Sequence, residues 1–354
     1  MLLNIKKITR HIKETGNKEL PPYFPPPVYF SLDGAVSFAI LLSNEDTHEW
    51  FYSSFIQLAF YNQCMDRPTV HPLTIYPMRL INPKLKEIAI FQKRTLLFED
   101  TMSFSRNNLM DNIIQWINND YYVLSRINVA MLPKARHFNP SRNYIHGVCC
   151  IGYNDTLKTL KIVDFDHKGE LSMLDVSYEN FIDAFFSSDD KRVILSQMQK
   201  DIDYKINLEF IKEQIYEYVN SIDSNRRHSF IVPSTIPDYS WGLSVYEKLI
   251  SFIDFRFYST KYNHIDYRPF YALYEHKLLM MGRLQYLALH SLIDVSTLDF
   301  NEYQKIVAKA ERIRMLVLKY NSSKEPSIIQ RTKLYIIELH DLEKIFLQQM
   351  LRWF

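Results

Sequence analysis

Tyr144-Ile145-His146-Gly147-Val148-Cys149-Cys150-Ile151-Gly152-Tyr153 is followed, after a short polar gap, by Ile162-Val163-Asp164. Each is a short apolar run bounded by turn residues, which is how a buried strand reads. The first run opens on a histidine and the second ends on an aspartate. Two neighbouring strands that carry these residues put a base beside a carboxylate able to orient it. Strand alternation sends Cys149 and Cys150 to opposite faces, and separates Cys149 from His146 in the same way. A metal shared by His146, Cys149, Cys150 and His167 is therefore not expected, because zinc ligands recur at loop or helix spacings that this run lacks.

Outward from this pair, the chain reads as α+β in its first half. Residues 3–15 fit a short amphipathic helix, and Pro21 to Pro27 a stiff extended connector. Asp33 to Leu42 fits a helix that Asp33 can cap. Residues 47–62 fit a second, aromatic-rich helix through Trp50, Phe51, Phe55, Leu58 and Tyr61. Residues 88–98 fit a strand, Leu109, Ile113, Trp116 and Ile117 a helix face, and Tyr121 to Ala130 a strand. A helix near 177–187 follows the Asp164 strand. Beyond about residue 190 the spacing turns helical, through Leu208, Ile211, Ile215 and Tyr218. It stays so through Ile306, Ala310, Ile313 and Val317, and through Tyr335, Leu339, Leu342, Phe346 and Met350. Asn321 to Pro326 is the expected turn between the last two helices. The reading is an α+β domain over 1–190 and a helical domain over 191–354.

Composition excludes several functions. The 354 residues carry a net charge of +2 without a basic run, so no nucleic-acid role is expected. Only 7 glycines are present, and neither common glycine-rich phosphate loop occurs. No cofactor is implied. Cys64, Cys149 and Cys150 form no disulfide framework, which reads as a reducing cytoplasm. No apolar run is long enough for a membrane span. The 24 tyrosines and 23 phenylalanines read chiefly as core or pocket lining.

The chain resembles the butirosin biosynthesis protein H family. The resemblance rests on the His146 and Asp164 runs and on Tyr122–Pro133 ahead of them. It extends to Trp241-Gly242-Leu243-Ser244-Val245-Tyr246, Ile265-Asp266-Tyr267-Arg268-Pro269-Phe270 and Tyr274-Glu275-His276-Lys277-Leu278-Leu279-Met280. It implies a papain-like, peptidase C39-like N-terminal domain with N-terminal helices and an antiparallel sheet, and a mostly helical domain after it. It implies acyl or aminoacyl transfer, or related amide hydrolysis or synthesis, in nonribosomal peptide, polyketide or aminoglycoside biosynthesis. The partners would be an acyl carrier protein or a nonribosomal peptide synthetase, and a small amine-bearing metabolite.

In that family a cysteine precedes a small-residue helix and attacks the acyl donor. Here Asp33 stands at that position, ahead of Gly34-Ala35-Val36-Ser37-Phe38-Ala39, with Ser31 two residues earlier. A carboxylate is a poor replacement for a thiolate, because the mixed anhydride it forms hydrolyses readily. The resemblance makes His146 the general base and Asp164 its orienting carboxylate, with Asp166 as the neighbour that takes this role under a shifted register. Ser31 or Asp33 completes the site, and Cys149 or Cys150 is a third option. The plain alternative for Asp33 is a helix cap worth roughly 1 kcal/mol.

Arg268, Glu275 and His276 are candidates to line the acceptor side. The plain alternative for the Glu275-His276-Lys277 run is a surface or interdomain salt-bridge face. The stripes of the last two helices read as core or as a homodimer face. Two functions stay open: an enzyme with an altered site, and an inactive relative that binds a metabolite or a carrier or synthetase partner.

Overall fold

The computed structural model describes residues 16–28, 32–65, 72–75, 91–96, 103–198, 205–224, 238–293 and 299–354, with backbone alone for 32–34 and 91–96. The amphipathic helix expected over 3–15 lies outside them. In chain order the strands are β1 (Asn17–Glu19), β2 (Leu58–Tyr61), β3 (Leu73–Ile75), β4 (Phe91–Leu96) and β5 (Tyr122–Asn128). They continue with β6 (Ile145–Asn154), β7 (Thr159–Phe165), β8 (Leu171–Ser177), β9 (Val193–Met198) and β10 (Tyr239–Trp241). The helices are α1 (Leu32–Leu41), α2 (His48–Ser53), α3 (Leu109–Asn118), α4 (Tyr178–Phe186) and α5 (Leu208–Val219). They continue with α6 (Val245–Tyr258), α7 (Arg268–Leu289), α8 (Phe300–Ser323) and α9 (Pro326–Met350). The protein is α+β, and its strands pair antiparallel.

The described residues fall into two compact units. One is drawn from 1–25, 39–43 and 87–202, the other from 26–38, 44–86 and 203–354.

The first unit is a sheet in the order β4-β9-β5-β6-β7-β8. Its central strand, β6, is buried from Val148 to Tyr153 on both faces, which explains why it reads as a continuous apolar run. β5 covers one side of β6 up to Cys150, and β1 takes over that side from Gly152. Only glycine permits this: a Cβ at Gly152 would sit 2.8 Å from the Lys18 carbonyl oxygen. Helix α3 buries Leu109, Met110, Ile113 and Ile117, and α4 buries Phe181, Ala184 and Phe185. Ser177 caps α4 by accepting the Asn180 N–H at 3.2 Å.

Three strands of this unit escape the sequence reading: β1, β8 and β9. β8 follows the Asp164 strand directly, alternating buried Leu174 and Val176 with exposed Met173 and Asp175. β9 lies beyond residue 190, where helix was expected, and is held between β4 and β5. Its partners are some 70 and 100 residues away in sequence (Ser196 faces Tyr122 and Lys93), so no local pattern announces it.

The second unit packs α2, α5 to α9 and the start of α1 with a small sheet in the order β10-β2-β3. The single helix expected over 47–62 is corrected here. α2 ends at Ser53, Phe55 takes a left-handed φ of 62°, and Leu58–Tyr61 is a strand. The aromatic spacing imitates a helix. Leu58, Ala59 and Phe60 are all fully buried in succession, as a strand covered on both faces requires. Arg283, itself buried, donates to the Tyr52 carbonyl at 2.7 Å and to the Ser54 carbonyl, so it satisfies the open end of α2.

Helices α8 and α9 form a hairpin. Lys324 turns it with φ 59°, and Pro326 opens α9 where a missing N–H costs nothing. Ile306, Ala310, Ile313 and Val317 are buried core; of the stripe expected on α9, Leu339, Phe346 and Met350 are buried, while Tyr335 and Leu342 are half-buried and Ile336 takes the core position beside Tyr335. Among the described residues no helix is long and apolar enough to cross a membrane.

Candidate functional site

His146 is the second residue of β6, and the chain leading to it is pinned. The Tyr144 N–H donates to Asn128 Oδ1 at 3.0 Å, and the Val129 N–H donates to the Tyr144 carbonyl at 3.0 Å. Cys149 lies opposite Val163. By that register Val148 faces Asp164, and period-two alternation places His146 on the same sheet face as Asp164. His146 Nδ1 stands 3.9 Å from Asp164 Oδ1, with the imidazole 35% exposed and the carboxyl 4%. That separation is an ion-pair contact and exceeds a hydrogen bond.

The Phe165 N–H donates to Asp164 Oδ1 at 2.8 Å. Burial outweighs this bond and pushes the Asp164 carboxyl up to about 7. The sign of the pH effect follows. Below the unfolded value of 3.8 both states are protonated and folding bears no penalty. As pH rises toward 7 the unfolded chain ionises first, so stability is lost across that window. A shift of that size is worth on the order of 4 kcal/mol. D164N is therefore expected to melt above the wild type at pH 8 and level with it at pH 4. Scanning calorimetry across that range checks this, and parallel curves for the two proteins would contradict it.

Asp166 has another task. Its Oδ1 accepts the Lys168 and Glu170 N–H groups at 2.9 and 3.0 Å, and its Oδ2 accepts the Ser172 hydroxyl at 3.1 Å. It builds the β7–β8 turn. Cys149 and Cys150 are 1% and 0% exposed, and burial pushes both thiols well above their ordinary value. They are packed apolar groups without thiolate character.

A ring ladder that sequence reasoning missed leads to the histidine. His137 stacks on Tyr144 at 4.0 Å and 27°, and Tyr144 on His146 at 6.0 Å and 29°. Tyr144 and His146 are spaced as on a strand, but His137 comes from the 132–144 loop, and only the fold of that loop brings its ring onto Tyr144. Burial lowers the His137 pKa, and the Arg136 charge lowers it further.

Ser31 lies outside the described residues. α1 begins at Leu32, so Asp33 falls within its first turn and not at its cap. Asp33 belongs to the second unit, while His146 and Asp164 belong to the first.

Glu275, His276 and Lys277 are interior residues of the second unit, at 1%, 0% and 0% exposure. The surface alternative is corrected: these three residues lie on the buried side of α7, between α5, α9 and the chain after α2, while Tyr274 and Leu278 are half-buried. The Lys277 ammonium donates to Glu343 Oε1 at 2.6 Å, to the Tyr218 hydroxyl at 2.9 Å and to His276 Nδ1 at 3.1 Å. His276 Nε2–H donates to the Ile56 carbonyl at 2.7 Å, which leaves Nδ1 as the acceptor. The Tyr218 and Tyr246 hydroxyls donate to Glu343 Oε2. Arg268 opens α7 and grips Asp266 through Nε at 2.8 Å. No cluster of three or more potential metal ligands occurs among the described residues.

No family model and no curated protein matches the chain.

Proposed function

We propose that His146 and Asp164 are the proton-transfer pair of an acyl- or aminoacyl-transfer site on a papain-like, C39-like unit. The observation that supports this most is a buried carboxyl, with its pKa near neutrality, held against the Nδ1 side of a half-exposed imidazole. A carboxyl with this poise can hold or release a proton near pH 7 beside the imidazole. Since Cys149 and Cys150 are inert, the reading needs no protein nucleophile. The amine nitrogen of the acceptor attacks the thioester carbonyl carbon, and the carbon–sulfur bond breaks. His146 takes the proton from that nitrogen and returns it to the departing sulfur. The resemblance to the butirosin H family is what supports reading this chemistry as part of specialised-metabolite assembly, with a carrier-bound thioester as donor and a small amine as acceptor.

A second reading, an inactive relative that binds such a metabolite or a carrier or synthetase partner, is favoured by the same buried thiols. The experiment that separates the two incubates the protein with a panel of acyl thioesters and amines and follows amide formation by mass spectrometry. Amide formed above the uncatalysed rate supports transfer. Saturable binding without any amide supports the second reading.

A further inference from the structure

At the far end of β6 from His146, strand register builds two rungs across the sheet of the first unit. Glu19 of β1 lies opposite Gly152 of β6, Gly152 opposite Lys161 of β7, and Lys161 opposite Asp175 of β8. In the next rung Asn17 lies opposite Asn154, Asn154 opposite Thr159, and Thr159 opposite Ser177. Directly opposed residues share a face, as do residues two apart along a strand, so the side chains of both rungs stand on one face. Leu160 and Val176 take the other face and are buried.

The polar face is concave. Asn17, Glu19, Asn154, Thr159, Lys161 and Asp175 line a cavity of about 560 Å³, within the range of small-molecule sites. Gly152 clears its floor. β1 and β7 flank β6 and so lie roughly 10 Å apart. Lys161 Nζ nevertheless reaches Glu19 Oε2 at 2.6 Å, because it crosses β6 over the one residue of that rung without a side chain. Glu19 holds the ammonium charged through this bond, and the Asp175 carboxylate acts on it from the neighbouring strand.

The remaining polar groups are open to a ligand. Among the described residues the side chains of Asn17, Thr159 and Asp175 have no hydrogen bond and no ion pair. Asn154 Oδ1 accepts the Leu157 N–H at 2.9 Å, which leaves its NH₂ group as a donor. Lys161 keeps two further protons and Glu19 a second oxygen. Two carboxylates against one ammonium disfavour an anion, and the ammonium between them disfavours a polycation. Donors and acceptors are interleaved, and a hydroxyl is both, so adjacent ring hydroxyls match this set. Leu157, 69% exposed beside them, offers an apolar contact for the carbon face of such a ring.

We propose that this cavity binds a neutral saccharide. Lys161 and Asp175 grip adjacent hydroxyls, and Asn17, Asn154 and Thr159 bond the others. His146 and Asn154 sit near opposite ends of β6, about 25 Å apart at the usual strand rise, so this site stands or falls independently of the proton-transfer pair.

The test titrates the full chain with glucose, galactose, mannose, maltose and lactose, and with glucuronate and spermidine as charged controls. Binding is followed by backbone amide NMR. At least one neutral sugar should shift the Gly152, Thr159, Lys161 and Asp175 signals saturably and leave His146 unmoved. K161A and D175A should each weaken binding about tenfold, since each loses a hydrogen bond to a charged group. T159V removes a hydroxyl without changing charge and should weaken it about threefold. Neither Lys161, Asp175 nor Thr159 is buried, and circular dichroism reports whether each variant is folded. No saturable shift with any neutral sugar overturns the proposal, and so does a response that the folded variants leave unchanged. Binding of glucuronate or spermidine alone also overturns it, because it marks a charge site.

Discussion

K277M is expected to destabilise the protein by about 3–5 kcal/mol, because it strands the Glu343 carboxylate in the interior. Lys277 and Glu343 are both 0% exposed at their side chains. Each ammonium proton has an acceptor, in Glu343, Tyr218 and His276, and each Glu343 oxygen has a donor. Burial lowers the Lys277 pKa, and Glu343 opposes that shift. Truncating the lysine removes the one charge that compensates the carboxylate. Adding E343Q to K277M should restore more than half of the loss, since a neutral amide still accepts from the Tyr218 and Tyr246 hydroxyls at a smaller desolvation cost. Urea unfolding of the two variants beside the wild type measures this. A K277M protein within about 1 kcal/mol of wild type would show that the network is not closed as described.

H146A is expected to lower amide formation by about 10²–10⁴-fold, the range over which a positioned general base acts. The attacking amine must lose a proton as the carbon–nitrogen bond forms, and His146 is the half-exposed base on this face of the sheet. D164N should cost less, because at 3.9 Å the carboxyl biases the imidazole by charge and does not share a hydrogen bond with it. Initial rates with the best donor–acceptor pair of the panel check both. Equal rates for H146A and wild type would remove His146 from the chemistry.

The strands around the candidate site were legible because they are local and apolar. β6 is buried on both faces, so its run is unbroken, and Asp164 marks where β7 reaches its turn. β8 and β9 were not legible. In β8 the buried residues Leu171, Leu174 and Val176 break the period of two, and β9 depends on strands far away in sequence. Residues 47–62 misled for a different reason: aromatic spacing fits a helix until the left-handed Phe55 ends it. Glu275, His276 and Lys277 look like surface by residue type. Their burial depends on Glu343, Tyr218 and Ile56, from three other segments. The same limit hid the stacking of His137 on Tyr144, because a loop has no period to read.

The coupling of His146 to Asp164 is tested most directly by nitrogen-detected NMR titration of the His146 ring in the wild type and in D164N. The wild-type curve should show two linked steps, one of them following Asp164 near pH 7, and D164N should reduce it to a single step. Superimposable curves for the two proteins would contradict the pair.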